Sequence, residues 1–167
     1  MRNAVALVCI FLLAVAGMLW LDQTPKQLGM SEVKSLGLFT LPDPREITDS
    51  LLLDEAGNPF DVKRFDGRWS FIFFGYTRCP DICPVTMSIL GQAERLMDAE
   101  QGTEQANASF QGMFVSVDPE RDDQDTMKAY VEAFSPTFIG LIGTGASVRS
   151  FGLQLGAGFR RGEKVDT

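Results

Sequence analysis

The sequence predicts an α/β layer with a largely parallel sheet. Three observations carry this. Apolar strand-like runs alternate with helical stretches three times between Trp69 and Leu155. Within the first run, Trp69–Phe74, the residues Phe71–Phe74 are unbroken apolar, which reads as a strand buried on both faces. Turn-forming residues punctuate the chain where strands should stop: Gly75, Asp118-Pro119 and Gly156-Ala157-Gly158.

The elements follow in order. Ala4–Leu21 is eighteen residues without a charge. At ~1.5 Å per residue it spans ~27 Å, close to the ~30 Å of a bilayer core. Arg2 precedes it, so its start should remain cytoplasmic, and Trp20 stands where an interfacial aromatic belongs. The rival reading is a cleaved signal peptide with Ala14-Val15-Ala16 as its small-residue site. An uncleaved anchor is favoured, because apolar residues continue past that site. On either reading the rest of the chain is expected on the exported, periplasmic side. Cys9 then reads as a small lipid-facing residue.

Residues 1–22 are thus expected to anchor, 23–45 to tether, and 46–167 to form one domain. Ile47–Leu53 and Phe60–Val62 flank Asp54-Glu55-Ala56-Gly57-Asn58-Pro59, a composition that predicts a hairpin. Phe65-Asp66-Gly67-Arg68 turns the chain into Trp69–Phe74. From about Val85 to Met97, the apolar residues Met87, Leu90, Ala93, Leu96 and Met97 recur at helical spacing. Gln101–Ser109 reads as a surface loop and Phe110–Val117 as the next strand. A helix is expected from Gln124 to Phe134, with acids in its first turn where the helix dipole favours them. Thr137–Ile142 is a short strand, and Ala146–Leu155 a last helix with Val148, Phe151 and Leu155 on one face. Phe159–Thr167 is short and polar.

The chemistry sits at the turn after the first strand of the layer. Cys79 and Cys83 lie there, with Pro80 and Pro84 bracketing the second thiol. A helix N-terminus aims unpaired N–H groups at such a turn and favours thiolate over thiol. If the turn is helical, positions i and i+4 face the same way, ~5–6 Å apart at Cβ. Two thiolates so placed clasp a soft ion, with Cu(I) the natural candidate. If Cys79 sits in the turn instead, the pair can close a disulfide. The bland reading, two buried apolar cysteines, fits poorly with prolines beside thiols at a strand-to-helix turn. Asp118 follows the end of the next strand, so sequence order puts all three residues on one rim. Asp118 is read either as orienting a ligand there or as capping the following helix. Met87 could offer a thioether but reads better as core. Arg78 could steady a thiolate or be solvated, and Tyr76 could pack over the site or in the core.

Composition narrows the function. The 167 residues carry a net charge of −7 with no basic stripe, which argues against nucleic acid. There is no histidine, which removes the commonest general base and nitrogen ligand. With three cysteines in all, neither a disulfide scaffold nor a four-ligand zinc site is available.

GYTRCPDICP, FVSVDPERD, the helix with Ala129-Tyr130-Val131, and FSPTFIGLIGT together resemble the Sco/SenC family, from roughly Thr40 onward. The resemblance implies a thioredoxin-like fold and a copper-binding metallochaperone on an amino-terminal transmembrane anchor. Such proteins supply the dinuclear copper centre of cytochrome c oxidase, and some act as thiol–disulfide reductants on the same assembly line. By this likeness Cys79 and Cys83 are the copper and redox thiols, Asp118 belongs to a nearby loop, and the partner is the copper-bearing oxidase subunit. Family members bring a histidine as third ligand from further downstream. This chain has none, so a carboxyl-terminally incomplete sequence is expected. Without the family's late hairpin, Trp69–Phe74 should pair on one side only, unless the amino-terminal hairpin or the tail from Phe159 covers it. Two rivals to the copper chaperone, which is not itself an enzyme, stay open. One is a thiol–disulfide oxidoreductase, against which CxxxC rather than CxxC spacing argues. The other is a peroxiredoxin-like thiol peroxidase, against which Cys79 preceding its proline argues.

Overall fold

The structure, a computed structural model, describes residues 11, 13–15, 17, 29–39, 41, 43–100 and 109–159. The chain divides into two units, Met1–Pro44 and Arg45–Thr167. In the first, a short helix α1 (Met30–Ser35) has Glu32 in its first turn and Lys34 in its last, matching the helix dipole. Among the described residues no helix is long and apolar enough to cross a membrane. Most of the expected anchor at 4–21, Cys9 included, lies outside the described residues, as does the tail 160–167.

The second unit is built on a strand whose side chains alternate between two cores. In β3 (Ser109–Ser116), Phe110 and Phe114 point into one apolar cluster, and Met113 and Val115 into the other. Parallel strands flank β3: β2 (Arg68–Gly75) on one side, β4 (Ile139–Gly143) on the other. A short β1 (Leu52–Asp54) joins the far side of β4 antiparallel, giving the order β1-β4-β3-β2. Helices α2 (Ile82–Glu100) and α3 (Gln124–Glu132) contribute Cys83, Met87, Met127 and Val131 to one cluster. Helix α4 (Gly145–Gln154) contributes Val148 and Phe151 to the other, with Phe60. The α/β layer with a largely parallel sheet is therefore present.

Three expectations are corrected. The strand buried on both faces is β3, not β2. Trp69 is 64% exposed and Phe71 45%, because β2 has a hydrogen-bonded neighbour on one side only among the described residues. That single pairing is what the sequence led us to expect of Trp69–Phe74. The hairpin around residues 54–59 shrinks to β1 and one bridge, Leu53 to Pro59. The Asp54 carboxylate takes up the N–H groups of Ala56 and Asn58, tightening the turn, while the expected second arm, Phe60–Val62, runs into a 3-10 helix at Val62–Phe65. Helix α2 begins at Ile82 rather than Val85, since Pro84 in the first turn lacks only an N–H that would have no intrahelical partner.

At its carboxyl end α4 stops as its glycine demands. Gly156 takes φ +74°, and the N–H groups of Gly156 and Ala157 donate back to Leu153 and Gly152. Phe159 then lies against β2, its ring 5.7 Å from that of Phe74.

Candidate functional site at the β2–α2 turn

The carboxyl ends of β2 and β3 meet where Val117 donates its N–H to the Gly75 carbonyl at 2.8 Å. Beyond this point the chain bends through Tyr76–Asp81, and the Cys79 N–H donates to the Tyr76 carbonyl at 3.1 Å. Cys79 thus lies in the turn and Cys83 in the first turn of α2, so the i and i+4 helical pairing does not apply. Both thiols are reduced, Cys79 partly exposed and Cys83 buried.

Their electrostatics divide them sharply. The Cys79 sulfur accepts from the Asp81 N–H first, then from the Cys83 thiol and N–H, with the Tyr76 hydroxyl adding a further bond. Together these draw its pKa down to about 7. Burial pushes Cys83 up to about 11, and donating its own proton to Cys79 pushes the same way. As pH rises through about 7, Cys79 becomes a thiolate that shares the proton of its neighbour. The N–H groups at the start of α2 do what a helix N-terminus does for an anion.

Gly75 matters here for space rather than for turning. A β-carbon on it would sit 2.8 Å from the Phe114 ring and 3.0 Å from the Cys83 sulfur. Its φ is not positive, so the expectation that it relaxes the turn is replaced by a close approach that only glycine allows.

A residue without a distinguishing signal in the sequence holds the turn in place. Asp122 is 3% exposed. Its carboxylate accepts from the Thr77 N–H at 3.1 Å, the Thr77 hydroxyl at 2.6 Å and the Ser116 hydroxyl at 2.6 Å. It therefore ties the thiol-bearing loop to the end of β3. In the sequence, Asp122 reads only as one more acid in DPERDD.

Asp118 stands on the same rim. Its N–H donates to the Ser116 hydroxyl at 3.2 Å, and its carboxylate faces Arg121 at 3.6 Å. Helix capping, the alternative for Asp118, belongs to Asp123, which accepts from the Thr126 N–H at 2.8 Å. The Thr126 hydroxyl first, and then that N–H, hold the Asp123 carboxyl below its ordinary range, and Arg78 assists. Met87 is fully buried beside Cys83 in the core. Tyr76 is at the surface, its hydroxyl ionisation pushed up chiefly by the charge of Cys79.

Among the described residues no group of three or more His, Cys, Asp or Glu side chains could hold an ion. Two sulfurs do converge, and that pair suits a soft monovalent ion rather than a closed zinc site.

The sequence profile of the family described as SCO1/SenC matches residues 42–166. The chain belongs to the SCO1/SenC family. It is similar to the human protein SCO2 homolog, mitochondrial, with 42% identity over 96 residues, 58% of this chain and 35% of the human one. It thus spans about a third of that relative's length. The crystal structure of yeast Sco1 with copper bound superposes with a TM-score of 0.62 at 30% identity, covering 74% of this chain and 65% of the yeast one. Arabidopsis thaliana ScoI with copper bound gives 0.61 at 31%, covering 70% and 69%. The mixed α/β fold is thus the fold of Sco structures.

Proposed function

We propose that this SCO1/SenC chain is a copper-binding metallochaperone that takes Cu(I) as cargo between Cys79 and Cys83. The observation that carries the reading is the unequal thiol pair at the start of α2. A partly exposed thiolate offers the entry ligand, and a buried neighbour becomes the second ligand by releasing its proton to solvent. Family membership, and the copper held by the yeast and Arabidopsis proteins, support copper over other soft ions. The motif resemblance extends the proposal to delivery: the dinuclear copper centre of cytochrome c oxidase is the destination and its copper-bearing subunit the partner. Residues 1–22 would anchor the protein, 23–45 would tether it, and 46–167 would work on the exported face. Asp118 is proposed as a rim residue near the thiols.

The test is Cu(I) competition against a chromophoric chelator. Cys79→Ser and Cys83→Ser should each abolish tight binding. Unchanged affinity in either variant would sink the assignment.

A second reading rests on the same inequality. A thiolate with a pKa of about 7 is an effective attacker of disulfides at neutral pH. Cys79 would attack a partner disulfide and form a mixed disulfide. Cys83, losing its proton, would then displace the partner's second thiolate. Two electrons pass to the partner, which leaves as a dithiol, and Cys79–Cys83 closes as a disulfide. Turnover of an oxidised oxidase-subunit peptide by the metal-free chain would favour this role.

A further inference from the structure

The outer face of α2 beside the thiols is apolar and uncharged. Cys83, Met87 and Leu90 belong to the core, while Ile82 is 63% exposed, Val85 49% and Ile89 59%. These three recur at spacings of three and four, so they form one row along the helix. From Ile82 to Ile89 the other exposed residue of α2 is Ser88, so no charge interrupts the row. It begins at the thiols, since Ile82 lies between the two cysteines and exposed Pro80 follows Cys79. The two exposed charges of the turn, Arg78 and Asp81, are of opposite sign, on a chain whose net charge is −7.

The chemistry at Cys79 limits what can cover this row. A disulfide exchange there brings an incoming sulfur to bonding distance, about 2 Å. A folded protein that reaches so close lies over the side chains next to that sulfur. We propose that Ile82, Val85 and Ile89 form the docking face for the receiving protein, one whose acceptor cysteine pair is ringed by uncharged, apolar side chains. The inference rests on Cys79 and Cys83 being the working pair. Desolvation of aliphatic side chains, rather than charge pairing, then holds the two surfaces together. A lipid surface seated on the same row would shut the thiols off from any receiver.

The experiment follows thiol–disulfide exchange by the full, metal-free chain in detergent. Two disulfides serve as probes: the oxidised copper-bearing domain of the oxidase subunit, and cystamine, which is too small to cover the row. The exchange is balanced: the probe's S–S bond breaks, the Cys79–Cys83 S–S bond forms, and two electrons with two protons leave the probe as two thiols. Mass spectrometry reads the Cys79–Cys83 disulfide as it forms. The chain carrying both Ile82→Ser and Val85→Ser should react about tenfold more slowly with the domain and at the wild-type rate with cystamine. Ile82→Leu keeps the apolar area and should hold the wild-type rate with both. A wild-type chain that does not react with the domain, a domain rate that the two serines leave unchanged, or rates that fall alike for both probes would each overturn the inference. An unchanged domain rate with weakened self-association would assign the row to a second copy instead. The rates are read without metal, so failure of the wild-type chain to bind Cu(I) would remove the copper reading alone.

Discussion

Thr77 hangs from Asp122 by two bonds, its N–H and its hydroxyl donating to opposite oxygens of one buried carboxylate. Thr77 lies two residues before Cys79, so this clamp sets where the turn starts and hence where the thiolate stands. Asp122→Ala should cost about 2–4 kcal/mol, since it leaves the Thr77 and Ser116 donors without their acceptor. Urea unfolding followed by circular dichroism measures this. Stability within 0.5 kcal/mol of wild type (roughly the scatter of surface substitutions) would mean the clamp is dispensable.

Gly75→Ala places a methyl group against Phe114 and the Cys83 sulfur. The backbone conformation tolerates alanine, so the cost is overpacking, about 1–3 kcal/mol. The same variant should change the reactivity of Cys79, because Cys83 must shift and it donates to that sulfur. Unfolding midpoints and alkylation rates would both have to match wild type for this packing account to fail.

The unequal thiols have a pH signature. A thiolate reacts and a thiol does not, so alkylation of Cys79 should accelerate as pH rises through about 7. Cys83 should stay protected until pH approaches about 11. Cys83→Ala removes a donor to Cys79 and should move its titration upward. Iodoacetamide kinetics with mass-spectrometric assignment report each sulfur separately; equal rates at pH 7 would contradict the division.

Among the described residues β2 has no neighbour on the side away from β3, and this predicts association. Trp69, Ser70, Phe71, Ile72, Phe73 and Phe74 include no charge and no proline, the usual guards of an exposed edge. Residues 23–167 should therefore self-associate at high micromolar concentration in sedimentation velocity runs, and Trp69→Lys should weaken the association. A monodisperse wild-type species at those concentrations would show that the edge is protected.

Apolar period, proline and glycine act on their immediate neighbours, so the alternation of strands and helices and the thiols at the β2–α2 turn were legible in the sequence. So was the helix N-terminus facing Cys79, because Pro84 and the apolar row from Met87 mark where α2 can begin. The rank of the strands was not legible. Phe71–Phe74 is the more apolar run, since Gln111 and Gly112 interrupt Phe110–Val115, yet the sheet order puts β3 inside and β2 at an edge among the described residues. The division of labour among the acids was hidden for the same reason. Asp118, Asp122 and Asp123 lie within six residues of one another, yet one faces Arg121, one clamps Thr77 and Ser116, and one caps α3. Composition names the carboxylates, but a hydrogen bond is a matter of a few tenths of an ångström between segments 45 residues apart, as between Thr77 and Asp122. Only folding brings those two segments to one place.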